Sequence, residues 1–346
     1  MPSLRRLSSL FAFGVFAAVT TLSACSSGPE ERDPEELFTL YRESAFYYWQ
    51  SKDFVRAEAQ AQNALSIHPD DLSCNLYLGN IGLLKGTTIA LMEAEQRFRG
   101  MEQQDDFRVQ LGLAEVLERL GMVYDEAAAA IESGQRTTEA PDPAARVADL
   151  HQMATKAWLE SSEHFHKVLD GKPNEVSAIN GLQRVLALEG NLEGALVWTN
   201  RMLDLVDVDL SFYRSKLSRE GITVEEENDL RDRMNNSLGL AERTYLLGAS
   251  MLHELGRDEA ELDYLAKAAE ISPKTAETWS RKAQAEMGLK RYDIAIASLD
   301  KFLKLSDEPF DSPSVQRAYE LRELCEKALQ DAAFSARLES VEAAPK

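Results

Sequence analysis

Histidine, cysteine, serine and carboxylate side chains are where chemistry would start, and their spacing here offers little of it. His164 and His166 form the densest histidine pair. Two positions apart on a helix, they point to different faces, and no further ligand stands at a metal-binding spacing. His68, His151 and His253 are isolated. The cysteines, Cys25, Cys74 and Cys325, fit neither a zinc signature nor a disulfide framework. Cys74 and Cys325 lie far apart along the chain and are expected as two buried free thiols. No glycine-rich phosphate loop follows a strand pattern, and no serine or cysteine nucleophile motif appears. With 58 acidic residues, paired carboxylates occur everywhere and single out nothing. The expectation is no catalytic residue, no metal, no cofactor and no small-molecule substrate.

One cysteine has a different chemistry. Residues 1–24 read as a secretory signal: Arg5 and Arg6, then the mostly apolar Leu7–Leu22, then small residues. Leu22-Ser23-Ala24-Cys25 resembles the lipobox of bacterial lipoproteins. That resemblance implies cleavage before Cys25, diacylglyceryl attachment at its sulfur and acylation of the new N-terminus. Several acyl chains hold a protein to a membrane where one is marginal. Ser26 after the cysteine, in place of aspartate, favours the outer membrane. Residues 25–36, with Gly28, Pro29, Pro34 and six charged residues, read as the acylated cysteine and a flexible tether.

The net charge of −20 excludes general nucleic-acid binding, which needs a basic surface. It also opposes electrostatic attachment to anionic lipid. Abundant alanine, leucine and glutamate favour helix.

The positioning elements come from a recurring pattern. In Phe38–Asp71, residues Tyr41, Ala45, Tyr48, Phe54, Ala57, Ala61, Ala64 and Pro69 fall on the seam of two helices, 38–50 and 54–67. The pattern returns in 176–208 and 276–309, and less clearly in 72–105 and 242–275. It resembles the tetratricopeptide repeat, a 34-residue helix–turn–helix unit. Between these units, 107–134 and 143–169 predict long helices, 207–219 a short one and 224–255 another long one. Ser312-Pro313 starts a closing helix that ends near Leu329. The resemblance implies an all-α fold, a right-handed tetratricopeptide-like solenoid with some long irregular helices. It spans 37–332, with a disordered tail at 333–346.

In this family the first helix of each unit lines the concave face. Carried over, that implies Phe46 and Trp49 in the first unit and Leu76, Asn80 and Leu83 in the second, an aromatic–aliphatic groove with Asn80 bonding a peptide backbone. The competing reading packs Phe46 and Trp49 under the first unit's own edge. Asn80 and Arg184 occupy one position of a carboxylate clamp known in the family, but the matching lysines are missing, and the acidic surface favours a basic segment. The overall expectation is an envelope-anchored scaffold facing the periplasm that binds other envelope proteins or peptides. The alternative is a cell-wall-modifying enzyme, or a regulator of such enzymes, with its site in 106–173.

Overall fold

The computed structural model describes residues 33–342. Cys25 and the lipobox-like stretch lie outside the described residues, as do residues 343–346. Among the described residues all regular structure is helical, in thirteen helices. They run as six pairs and a closing helix: α1 (Pro34–Gln50) with α2 (Phe54–Leu65), α3 (Leu72–Lys85) with α4 (Thr88–Gly100), α5 (Phe107–Glu132) with α6 (Pro143–Gly171), α7 (Val176–Leu188) with α8 (Leu192–Leu217), α9 (Val224–Glu254) with α10 (Asp258–Ile271), α11 (Ala276–Gly288) with α12 (Tyr292–Leu305), and α13 (Pro313–Glu342). Each helix packs on its neighbours in sequence, and α1 with α3, α3 with α5 and α5 with α7 also touch. The first helices thus form one layer of a helical-repeat solenoid.

Local chemistry sets the boundaries. Asp33, Asp53, Asp71, Asp106 and Asp142 each accept a bond from a backbone N–H in the first turn of the helix that follows. Such a cap contributes about 1 kcal/mol. In four of the pairs, the second of three linking residues adopts a left-handed conformation. It is Gly190 (φ 78°) between α7 and α8 and Gly256 (φ 66°) between α9 and α10. At the same place the first and last pairs carry Lys52 (φ 60°) and Lys290 (φ 59°), where a side chain costs energy that glycine does not.

The core alternates small and large residues. Ala45, Ala61, Ala64, Cys74 and Leu78 make a buried cluster across α1, α2 and α3. Phe98 of α4 lies between two glycines. A Cβ on Gly79 of α3 or on Gly112 of α5 would stand 2.4 Å from its ring. Phe165 covers Gly181 and Tyr264 covers Gly248 in the same manner. The two remaining thiols, Cys74 and Cys325, are free and buried. Burial first, then the hydrogen bond to Asp71, pushes the Cys74 thiol up to about 12, so it stays protonated and inert.

Three boundaries differ from expectation. The tether was placed as far as Glu36, yet α1 begins at Pro34, because Asp33 caps it and proline suits the first helical position. Residues 207–219 do not form a separate helix; α8 runs unbroken to Leu217, with no glycine or proline after Gly194 to stop it. The tail from 333 is not wholly irregular, since α13 continues to Glu342. Its end is rich in alanine and has no breaker before Pro345.

Candidate functional site

The first-helix layer encloses a cleft of about 1140 Å³. Trp49 of α1, Asn80, Leu83 and Leu84 of α3, Glu115, Glu118, Arg119, Met122 and Glu126 of α5, Arg184 and Leu188 of α7 and Leu247 and Glu254 of α9 line it, with Phe54 and Leu91 from second helices. A smaller depression of about 230 Å³ adjoins it and shares Trp49, Asn80 and Glu115, adding Ser73, Leu76, Tyr77 and Arg108. The two share a wall and together span α1, α3, α5, α7 and α9.

The apolar part is unusually open. Leu84 is 57% exposed, and Met122 and Leu188 are also largely exposed. Leu76 and Leu83 are buried and join the core cluster of Leu91, Phe98 and Leu113, so they form the floor. Trp49 is half-buried. Its ring stacks on Tyr77 at 5.4 Å and meets Phe54 edge-on at 5.3 Å. Both readings of Trp49 therefore have substance: part of the indole packs within the unit, and part faces the groove.

Phe46 departs from the expected site. It does not line either depression and stands 48% exposed. Trp49, one turn on, leans toward α3 and takes Tyr77 and Phe54 as partners, leaving Phe46 outside the aromatic cluster. Among the described residues Phe46 makes no aromatic contact with Trp49, whose ring partners are Phe54 and Tyr77.

Carboxylates outnumber cations in the cleft. Glu118 is only 4% exposed and forms a two-pronged pair with Arg184: Nε donates at 2.6 Å and Nη2 at 2.8 Å. Such a fork fixes both side chains. Glu115, one turn before, makes no ion pair among the described residues. Burial, then the charge of Glu118, raises its pKa above the ordinary carboxylate value, while Arg184 and Arg119 pull it down. Glu126 and Glu254 add exposed negative charge at the rim. Arg184 is thus committed to Glu118 rather than displayed with Asn80 as a carboxylate clamp. Sequence spacing could not reveal this pair, because the two residues are 66 apart and meet only through the packing of α5 on α7.

The histidines find separate partners. His164 is buried and its Nδ1 lies 2.7 Å from Gln110 Oε1; burial depresses its pKa. His166 Nδ1 donates to the Ser162 carbonyl at 2.8 Å. His68, His151 and His253 each meet a carboxylate, Glu35, Asp125 and Glu261 respectively. Among the described residues no group of three or more metal-ligating side chains converges. No described helix is long and apolar enough to cross a membrane.

Residues 276–309, α11 and α12 with their flanks, match the tetratricopeptide repeat family model. The protein carries a tetratricopeptide repeat. In this tetratricopeptide unit Trp279, Ala283, Ala295 and Leu299 are buried at its seam, as Ala45, Ala57 and Ala61 are in the first pair. Similar solved structures include MamA, at 15% identity over 55% of this chain and 95% of that chain, with a TM-score of 0.33. A tetratricopeptide repeat protein from Parabacteroides merdae is 14% identical over 84% of this chain and 99% of that one, TM-score 0.34. Pseudomonas aeruginosa pilF is 16% identical over 72% and 99%, TM-score 0.33. No curated protein matches the chain.

Proposed function

We propose that this protein is a scaffold of the bacterial cell envelope that holds a partner protein in the groove of its repeat array. The carrying observation is the cleft of about 1140 Å³ spread over α1, α3, α5, α7 and α9. Its exposed Leu84, Met122 and Leu188 form an apolar surface of the kind that marks contact sites. Its exposed carboxylates Glu126 and Glu254, with the half-buried Glu115, favour a segment in which lysine or arginine alternates with apolar residues. Asn80, on the wall between the two depressions, is placed to bond the backbone of that segment. Trp49 offers the aromatic anchor that commonly dominates such interfaces.

The anchoring half of the proposal rests on Leu22-Ser23-Ala24-Cys25. Acylation at Cys25 puts α1 eight residues from the lipid and leaves the array in the periplasm, on the outer membrane. Two experiments separate the halves. Labelled fatty acid should enter the full-length protein and fail to enter Cys25→Ala; labelling that persists in the variant refutes the anchor. Trp49→Ala should keep the helical circular-dichroism signal and lose the partner; full retention of the partner refutes the groove.

A further inference from the structure

The first helix of the array presents a surface that α3, α5, α7 and α9 bury; in α11 its middle position is the half-buried Lys282. The later units show which positions lie against the preceding second helix. In α3 they are Cys74, Leu78 and Ile81; in α5 they are Val109, Leu113 and Val116. All six are buried. Ala178, Leu182 and Val185 repeat the spacing in α7 with no exposure at all. In α9 the middle position is Gly248, whose missing Cβ leaves room for Tyr264 and for Thr199 of the preceding second helix α8. Counting back one 34-residue period from α3 gives Leu40, Ser44 and Tyr47 in α1. Leu40 is 47% and Tyr47 66% exposed. At the opposite end of the array α13 exposes Glu320, Glu323 and Lys327 together with Tyr319 and Leu324, so charge is interleaved with the apolar residues there.

We infer that the Leu40–Ser44–Tyr47 strip of α1 is a docking site for an amphipathic α-helix of a partner protein, taken up where a preceding second helix would pack. The register itself specifies a helix, because the same three positions lie against one in α3, α5, α7 and α9. The short connection Ser66–Asp71 makes α2 antiparallel to α3, so the docked helix runs antiparallel to α1. Its C-terminal turn then lies beside Glu36 and Glu43, and its N-terminal turn beside Lys52, all exposed. A helix with basic residues in its last turn and acidic ones in its first matches both these charges and its own dipole. Ser44 stands where α3, α5 and α7 have leucine, so the partner supplies a large apolar side chain there.

Charge selects this occupant over the others. Two antiparallel copies of the strip would bring Glu43 against its own kind near the middle of the contact, on a chain of net charge −20. Glu36 and Glu43 also oppose an anionic bilayer surface. The site is separate from the groove, whose linings include neither Leu40 nor Tyr47.

The test places a photo-crosslinking benzoylphenylalanine at Tyr47 of the full-length protein in cells that make it, with Tyr319 on α13 as the control position. The expected adduct joins Tyr47 to a polypeptide segment that mass spectrometry maps to an amphipathic helix with lysine or arginine in its last turn. Leu40→Glu, an exposed change, should abolish that adduct while leaving one formed from Leu84 in the groove. An adduct with lipid, with a second copy, with residues 1–32 of the same chain or with a segment of other chemistry overturns the inference, as does a yield no higher than at Tyr319. A Tyr47 adduct that persists in Leu40→Glu likewise overturns it.

Discussion

Arg184→Met tests the electrostatics of the groove floor. The substitution keeps most of the aliphatic stem and removes the fork that holds Glu118. Glu118 is nearly sealed from water, so it would be left as a buried carboxylate one turn from Glu115. Breaking a fully buried ion pair costs about 3–5 kcal/mol. Here the Arg184 side chain is 43% exposed, so water screens part of that interaction, and a loss of about 2 kcal/mol is the better figure. The loss must depend on pH. With the guanidinium gone, the already raised pKa of Glu115 rises further, and Glu115 holds a proton that the unfolded chain releases. Such a site binds more protons folded than unfolded, so the variant loses stability as pH rises above the unfolded carboxylate value of about 4.5. Urea unfolding of the wild type and Arg184→Met at pH 5 and pH 8 measures this. The gap between them should be wider at pH 8. Adding Glu118→Gln to Arg184→Met should recover most of the loss. An equal gap at both pH values, unmoved by Glu118→Gln, would refute the reasoning and make Arg184 a packing residue only.

Three further outcomes follow from the same geometry. Glu115 has a raised folded pKa, so its contribution is present at acid pH and lost as pH rises; Glu115→Gln should be more stable than wild type at pH 7, with the difference vanishing below about pH 4. Gly112→Ala should destabilise by about 1–3 kcal/mol through overpacking on Phe98, and that penalty should shrink when Phe98→Leu is present; equal penalties in both backgrounds would show that the ring is not the obstacle. Lys290→Gly should stabilise by up to about 1 kcal/mol in urea unfolding, because glycine adopts the left-handed turn without the side-chain penalty, and a loss of that size would contradict the turn geometry.

Much of this architecture was readable because its signals are local. Aspartates before helical runs mark the starts, and alanines at the crossings mark the seams. The Asp142-Pro143 start was legible, and Asp33-Pro34 carries the same signal, but it was masked by the charged, glycine- and proline-containing stretch before it. The turns at Lys52 and Lys290 were silent, since lysine does not announce a left-handed conformation. At the groove, Trp49, Leu76, Asn80 and Leu83 were named together by the concave-face positions that the family resemblance implies, and they line the two adjoining depressions. The resemblance failed for Phe46, where the choice between two neighbouring aromatics depended on the position of Tyr77 on another helix. The Glu118–Arg184 fork and the contribution of Leu247 and Glu254 were illegible for the same reason: they depend on how α5, α7 and α9 approach one another. The exposed strip of α1 became visible only when burial in the later units showed what those positions normally do.

The central claim is that the groove holds a partner segment. The most direct test is a photo-crosslinker at Leu84, in the cleft, compared with one at Val197, 65% exposed on α8 and outside it. In cells that make the protein Leu84 should give a discrete adduct with a protein segment that mixes basic and apolar residues, and Trp49→Ala should remove it. Equal adducts from Leu84 and Val197, or an adduct at Leu84 indifferent to Trp49→Ala, would contradict the account.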